Sequence, residues 1–161
     1  MGTTYYFLHG LESSSKGTKG RWFAKQYPNM IIPDFEGDLS HRLLSLEKHC
    51  GDRKNLVLVG SSFGGLMATV YAMAHESRCL RLILLAPALN FPEFSPPEKM
   101  ISTPTRLIIG KDDAVTPPDK VLPLAQKTFQ NLDVTICNDD HMLHRVFCEL
   151  DWRNMLGEEG L

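Results

Sequence analysis

Nowhere does this 161-residue chain gather the roughly 18 consecutive apolar residues that a membrane-spanning helix requires. Its first residues do not follow the basic-then-apolar order of a secretion leader either. Charge of one sign is also lacking. With 17 Lys and Arg against 19 Asp and Glu, the formal net charge is −2, which offers no field for nucleic acid or an anionic membrane surface. Cysteines are few, and Cys50, Cys79, Cys137 and Cys148 lack the short paired spacing of a zinc or redox site. Cys50 and Cys148 fall on apolar stripes, so we read four reduced, mostly packed thiols in a cytoplasmic protein, with pairing left open by the sequence. Phosphate-binding glycine patterns are missing too. Gly60 to Gly65 is not G-x-G-x-x-G, no Lys-Ser or Lys-Thr pair closes it, and the residue five after Gly10 is Ser15. With no repeat, low-complexity tract or linker, residues 1–161 read as one domain, long enough to bury a sizeable core.

What the chain does have is alternation. Short apolar runs at 4–8, 30–32, 55–59, 80–85, 105–109 and 132–136 predict strands. Between and after them, 3.6-residue periodicity predicts helices at 17–26, 39–50, 63–75, 119–130 and 143–155. Leu39, Leu43, Leu46 and Cys50 trace one helical face, and Leu143, Val146, Phe147 and Leu150 another. Pro123 makes the fourth helix the least secure, with a start later than residue 119 as one resolution. Such alternation implies an α/β fold, a three-layer α/β/α sandwich around a parallel sheet. Only 86–104 lacks periodicity. Its five prolines, Pro87 to Pro104, read equally as a rigid surface connection or as a short flap.

The most informative local feature is Gly60-Ser61-Ser62-Phe63-Gly64, which joins the apolar run Leu56-Val57-Leu58-Val59 to a helix carrying Leu66, Val70 and Ala74 on one face. A serine at so sharp a strand-to-helix turn needs residues without side chains two positions either side, so that strand and helix can approach. Gly60 and Gly64 meet that need around Ser62, while Gly65, Ala68 and Ala72 keep the helix slim. Ser61 has Val59 two residues earlier and reads as a turn residue. The alternative for the whole motif is a purely structural turn.

A serine hydroxyl becomes a good nucleophile only beside a base that a third group orients. Two later loops offer those partners in the order acid, then histidine: Gly110-Lys111-Asp112-Asp113-Ala114-Val115-Thr116-Pro117 and Asn138-Asp139-Asp140-His141-Met142-Leu143. Each follows an apolar strand, so both fall at the carboxyl edge where open α/β sheets place ligand sites. His141 is the candidate base. His41, His49, His75 and His144 read as surface or satisfied core residues. His144 shares a helical face with His141, but no third residue has metal-ligand spacing, and no metal is expected.

Together with Phe7-Leu8-His9-Gly10-Leu11 and the Ser13, Ser14 and Lys16 stretch, these motifs make the chain resemble the α/β-hydrolase superfamily. It is most similar to its smallest, cap-less members, the YqiA-like esterases. The resemblance covers nearly the whole length. It implies a minimal six-stranded parallel sheet lacking the first two strands of larger relatives, in the order 2-1-3-4-5-6. It also implies esterase or thioesterase activity on a small-molecule ester or thioester, with no cofactor. Superfamily acid loops read G-x-x-D with proline four residues past the aspartate; Gly110 and Pro117 therefore favour Asp113, with Asp112 as the alternative. Ser62, Asp113 and His141 are thus the expected catalytic residues. Backbone N–H groups of Leu11 and Phe63 are the expected oxyanion donors, and His9 is expected to brace its loop. The competing readings are an amidase or peptidase with the same residues, and a binding module that kept the fold without chemistry.

Overall fold

The computed structural model describes residues 2–157, so the first residue and the last four of the expected 1–161 domain lie outside the described residues. Five strands, β1 (Thr4–Leu8), β2 (Leu56–Ser61), β3 (Cys79–Leu85), β4 (Thr105–Gly110) and β5 (Leu132–Cys137), form one sheet in the order β1-β2-β3-β4-β5. Every neighbouring pair is parallel. Around the sheet lie α1 (Thr18–Gln26), α2 (Leu39–Cys50), α3 (Phe63–Ala74), α4 (Pro118–Thr128) and α5 (Trp152–Leu156).

Alternating strand residues feed two separate cores, because successive side chains point to opposite sheet faces. Tyr6, Leu8, Leu58, Leu82, Leu84 and Leu107 pack with Leu46 of α2, Leu66 and Met67 of α3 and Val121 of α4. On the other face, Phe7, Val57, Val59, Ile83 and Leu85 pack with Phe23 of α1 and with Phe147, Trp152 and Met155. Most of these strand side chains are fully buried, each contributing roughly 1.5–3 kcal/mol relative to exposure. Edge-to-face aromatic contacts knit the second layer, with the Phe23 and Trp152 rings 4.8 Å apart and Trp22 and Phe147 5.0 Å apart.

Four expectations need correction. The sheet has five strands, not six in the order 2-1-3-4-5-6, because residues 30–32 make only a single parallel bridge, Ile31 to Tyr6. Ile31 donates to Tyr5 O at 2.9 Å and accepts from Phe7 N–H at 3.0 Å. The next residue facing β1 is Pro33, which has no N–H to continue the ladder. Likewise residues 143–155 do not form one helix. Leu143 adopts φ +55°, Phe147–Glu149 is a 3₁₀ turn, Leu150 is extended, and α5 starts afresh with Asp151 accepting from Asn154 N–H at 3.2 Å. Leu143 and Phe147 are nonetheless buried: the apolar residues find the core through turns. Cys148, expected on the packed stripe, is therefore exposed, whereas Cys50 and Cys79 are buried. Finally, α4 begins at Pro118, one residue earlier than expected, and carries Pro123 within it.

Candidate active site

Ser62 sits between the last residue of β2 and the first of α3, at φ 55° and ψ −114°. This backbone conformation is sparsely populated for a residue with a side chain and persists only where surroundings over-determine it. Here the surroundings do so. Ser62 N–H donates to Leu85 O at 2.9 Å, while Ser62 O accepts from the N–H groups of Gly65 (2.9 Å), Ala88 (3.0 Å) and Leu66 (3.2 Å). Close approach explains the flanking glycines. A Cβ on Gly60 would overlap Gly64 O, and one on Gly64 would overlap Leu8 O of β1. Gly64→Ala is therefore expected to be at least as damaging as ordinary overpacking, roughly 1–3 kcal/mol. A melting curve matching that of the unsubstituted protein would contradict this packing.

His141 Nε2 lies 3.0 Å from Ser62 Oγ, and His141 Nδ1 lies 2.8 Å from Asp113 Oδ2. The Asp113 side chain is fully buried and the His141 side chain is 19% exposed, so the relay runs from the interior towards solvent. Four donors converge on the Asp113 carboxylate. Val115 N–H (2.9 Å) and Thr116 N–H (2.7 Å) reach Oδ1, while Thr116 Oγ1 (2.7 Å) and His141 Nδ1 share Oδ2. Since a carboxylate only accepts, Nδ1 carries its proton and Nε2 turns a lone pair to the serine hydroxyl. Asp112 is exposed, and its backbone N–H donates to Asp139 O at 3.1 Å. A hydroxyl beside an imidazole oriented by a buried carboxylate is chemically competent to deliver an activated oxygen.

The histidine loop has its own supports. Asp139 Oδ1 accepts from Asp140 N–H (2.8 Å), and its Oδ2 accepts from Arg145 N–H (2.9 Å) and Val146 N–H (3.1 Å). Burial pushes this carboxyl up, but the N–H donors outweigh it and hold it below the usual aspartate value. Lys19 of α1 donates to Met142 O at 2.7 Å and lies 5.5 Å from the centre of the Phe147 ring.

The loop after β1 passes directly beside Ser62, since a Cβ on Gly10 would sit 3.6 Å from Ser62 Cβ. His9 is buried at the start of that loop. Its Nε2 accepts from Phe35 N–H at 2.9 Å, so Nδ1 carries the proton and donates to Gly10 O at 2.7 Å. Burial lowers the His9 pKa, keeping the ring neutral in this tautomer. Leu11 follows with an exposed side chain, and Phe63 opens α3, where a first-turn N–H has no acceptor within the helix. An open cleft of about 850 Å³ borders the same loop at Ser13 and Ser14 and runs along Asp34 to Gly37, but Ser62, Asp113 and His141 do not line it.

Sequence reasoning missed Thr116, whose hydroxyl is also 3.2 Å from His141 Nδ1. Its spacing three residues after Asp113 was the available signal, since short polar side chains accept backbone N–H groups two or three residues on. The proline-rich segment is packed rather than loose. Ala88, Leu89 and Phe94 are buried, Phe91 lies 6.1 Å from Phe63, and Asn90 donates to Val115 O at 3.1 Å. Among the described residues no group of three or more His, Cys, Asp or Glu is placed to hold a metal, and no helix is long and apolar enough to cross a membrane.

A parallel α/β sandwich with a serine, histidine and aspartate joined at the carboxyl edge of its strands defines a class of fold, and sequence comparison agrees. A family model described as alpha/beta hydrolase fold matches residues 8–103, and the chain belongs to that family. Among solved structures, the chain is similar to alpha/beta hydrolase domain-containing protein 10 from mouse (TM-score 0.72, 19% identity, 96% of this chain and 90% of that one). It is also similar to an esterase from Pyrococcus furiosus (TM-score 0.72, 19% identity, 97% and 80%) and to a monoacylglycerol lipase from Paleococcus ferrophilus (TM-score 0.68, 14% identity, 89% and 89%). Comparison with curated proteins gives no match.

Proposed function

We propose that this protein is a serine hydrolase that cleaves small carboxylic esters or thioesters through an acyl-enzyme. The observation that carries the reading is the unbroken relay from Ser62 Oγ to His141 (3.0 Å) and from His141 to Asp113 (2.8 Å). Ser62 Oγ attacks the substrate carbonyl carbon as its proton passes to His141 Nε2. The resulting imidazolium gives that proton to the leaving alkoxide or thiolate, and the acyl group remains on Ser62. Water then loses a proton to His141 as it attacks the acyl carbonyl, and the acid departs as Ser62 recovers its proton. Asp113 holds the imidazole in the working tautomer throughout. N–H groups of Leu11 and Phe63 face the oxygen on which negative charge develops. This chemistry needs no cofactor. A cytoplasmic setting belongs to the reading, supported by four cysteines present as free thiols, the form kept in a reducing compartment.

Fluorophosphonate labelling with peptide mapping, followed by a panel of p-nitrophenyl esters, thioesters and anilides, tests the proposal. Labelling at Ser62 with ester or thioester turnover is the expected result. Labelling with faster anilide cleavage would make it an amidase, and a folded protein that neither labels nor turns over would make it a binding module. The 86–104 segment packs onto the core beside Phe63 and is too short for a lid domain, so a shallow site belongs to the same reading. Acetate and butyrate esters are therefore expected to outpace long-chain emulsions, and the opposite ranking would overturn that preference.

A further inference from the structure

Arg42 takes no part in the relay, yet it is the one arginine buried among the described residues, at 3% exposed. It projects from α2 with no carboxylate within ion-pair distance among the described residues. Its donors go to main-chain carbonyls instead: Nε to Gly37 O at 2.9 Å and Nη2 to Leu11 O at 3.3 Å. Nη1 is buried without a protein partner, and the guanidinium carbon lies 5.3 Å from the centre of the Phe63 ring. A buried guanidinium without a counter-charge is costly, so its retention calls for a reason. Because Nη1 is sealed from solvent, direct contact with a substrate is not that reason.

We propose that Arg42 is a positioning residue that sets the oxyanion loop, holding the Leu11 carbonyl while packing against Phe63, the residue that supplies the second donor. The proposal rests on Leu11 and Phe63 N–H being those donors. The Leu11 side chain is 47% exposed and does little to anchor its own backbone. The two peptide planes flanking Leu11 are fixed instead from the inside. His9 Nδ1–H holds Gly10 O at 2.7 Å, and in a trans peptide this aims Leu11 N–H the opposite way. Arg42 Nη2 holds the carbonyl of the next plane. With both planes fixed, the donor is organised before charge develops, the condition under which an oxyanion donor is effective. Burial and the neighbouring Arg42 charge both keep His9 neutral, preserving the tautomer that makes the first of these bonds.

The test compares Arg42→Met, which keeps bulk and removes the donors, with Arg42→Lys, which keeps the charge and one donor centre. Readouts are kcat and KM on p-nitrophenyl acetate, and inhibition by a trifluoromethyl ketone, which forms a tetrahedral adduct, against inhibition by acetate as product. The methionine variant is expected to lose about 10–10²-fold in kcat, a part of what losing a whole donor costs. Its KM should stay within about twofold, and ketone affinity should fall in step with kcat/KM while acetate affinity holds. The lysine variant should recover part of both losses. Unchanged kcat in a folded variant, or ketone and acetate affinity falling together, overturns the proposal. If Arg42→Met fails to melt cooperatively, Arg42→Lys decides alone by the same split. Should the unsubstituted protein neither label nor turn over, the hydrolase reading falls first. Amide hydrogen exchange at Leu11 and Glu12 then decides for Arg42, with faster exchange in the variant supporting the loop-setting role and unchanged exchange overturning it.

Discussion

Ser62→Ala is expected to abolish fluorophosphonate labelling and to lower ester turnover on the order of 10⁶-fold, the scale seen when a triad serine is removed. The loss should come without a matching loss of stability. Ser62 is held through its backbone, by the bonds to Leu85, Gly65, Leu66 and Ala88, and alanine keeps all of them. Ser61→Ala provides the contrast. Ser61 closes β2 opposite Leu85, and no hydrogen bond joins its hydroxyl to His141, so labelling and turnover should persist. Peptide mapping that placed the label on Ser61, or on any other serine, would remove Ser62 from the role.

Asp113→Asn should lower turnover by about 10⁴-fold, because an amide in that position favours the wrong imidazole tautomer. The surroundings sharpen the expectation. Four donors meet the carboxylate: two N–H groups, the Thr116 hydroxyl and His141 Nδ1–H. An amide has only one accepting oxygen, so its NH₂ must face either Val115 and Thr116 N–H or the imidazole. Facing the N–H groups costs stability; facing His141 moves the proton to Nε2 and deprives Ser62 of its acceptor. The measurements are kcat, kcat/KM and a melting curve. Asp112→Asn, on an exposed side chain, should change all three little. The reverse ranking of the two aspartates would make Asp112 the acid.

The elbow was legible because its requirements are local. A buried apolar strand, a small residue on each side of Ser62 and a helical stripe after it are readable without knowing any distant contact. Observed β2 and α3 meet at Ser62 as the sequence predicts. The loops carrying Asp113 and His141 were legible for a related reason, since each follows a strand-like run and β4 and β5 end one residue beyond those runs. Residues 30–32 were misleading because strand propensity says nothing about whether a neighbour can be paired for more than one residue, and Pro33 stops the ladder. The 143–155 stripe was misleading in another way. Leu143 and Phe147 bury equally well in turns once Asp139 captures the N–H groups of Arg145 and Val146.

Sequence alone therefore determined the class of the chain, an α/β alternation with a glycine-flanked serine, because hydrophobic period and steric need at a turn are properties of neighbouring residues. It also favoured Asp113 over Asp112 as the expected acid, through the positions of Gly110 and Pro117. Tertiary structure decided which of them reaches His141, how many strands the sheet holds, and what steadies the loops. Thr116 on Asp113, Lys19 on Met142 O and Arg42 on Leu11 O are contacts between residues as close as 3 and as far as 123 positions apart. Hydrogen bonds of this kind depend on where a side chain ends in space, and only the packed helices and sheet set that position.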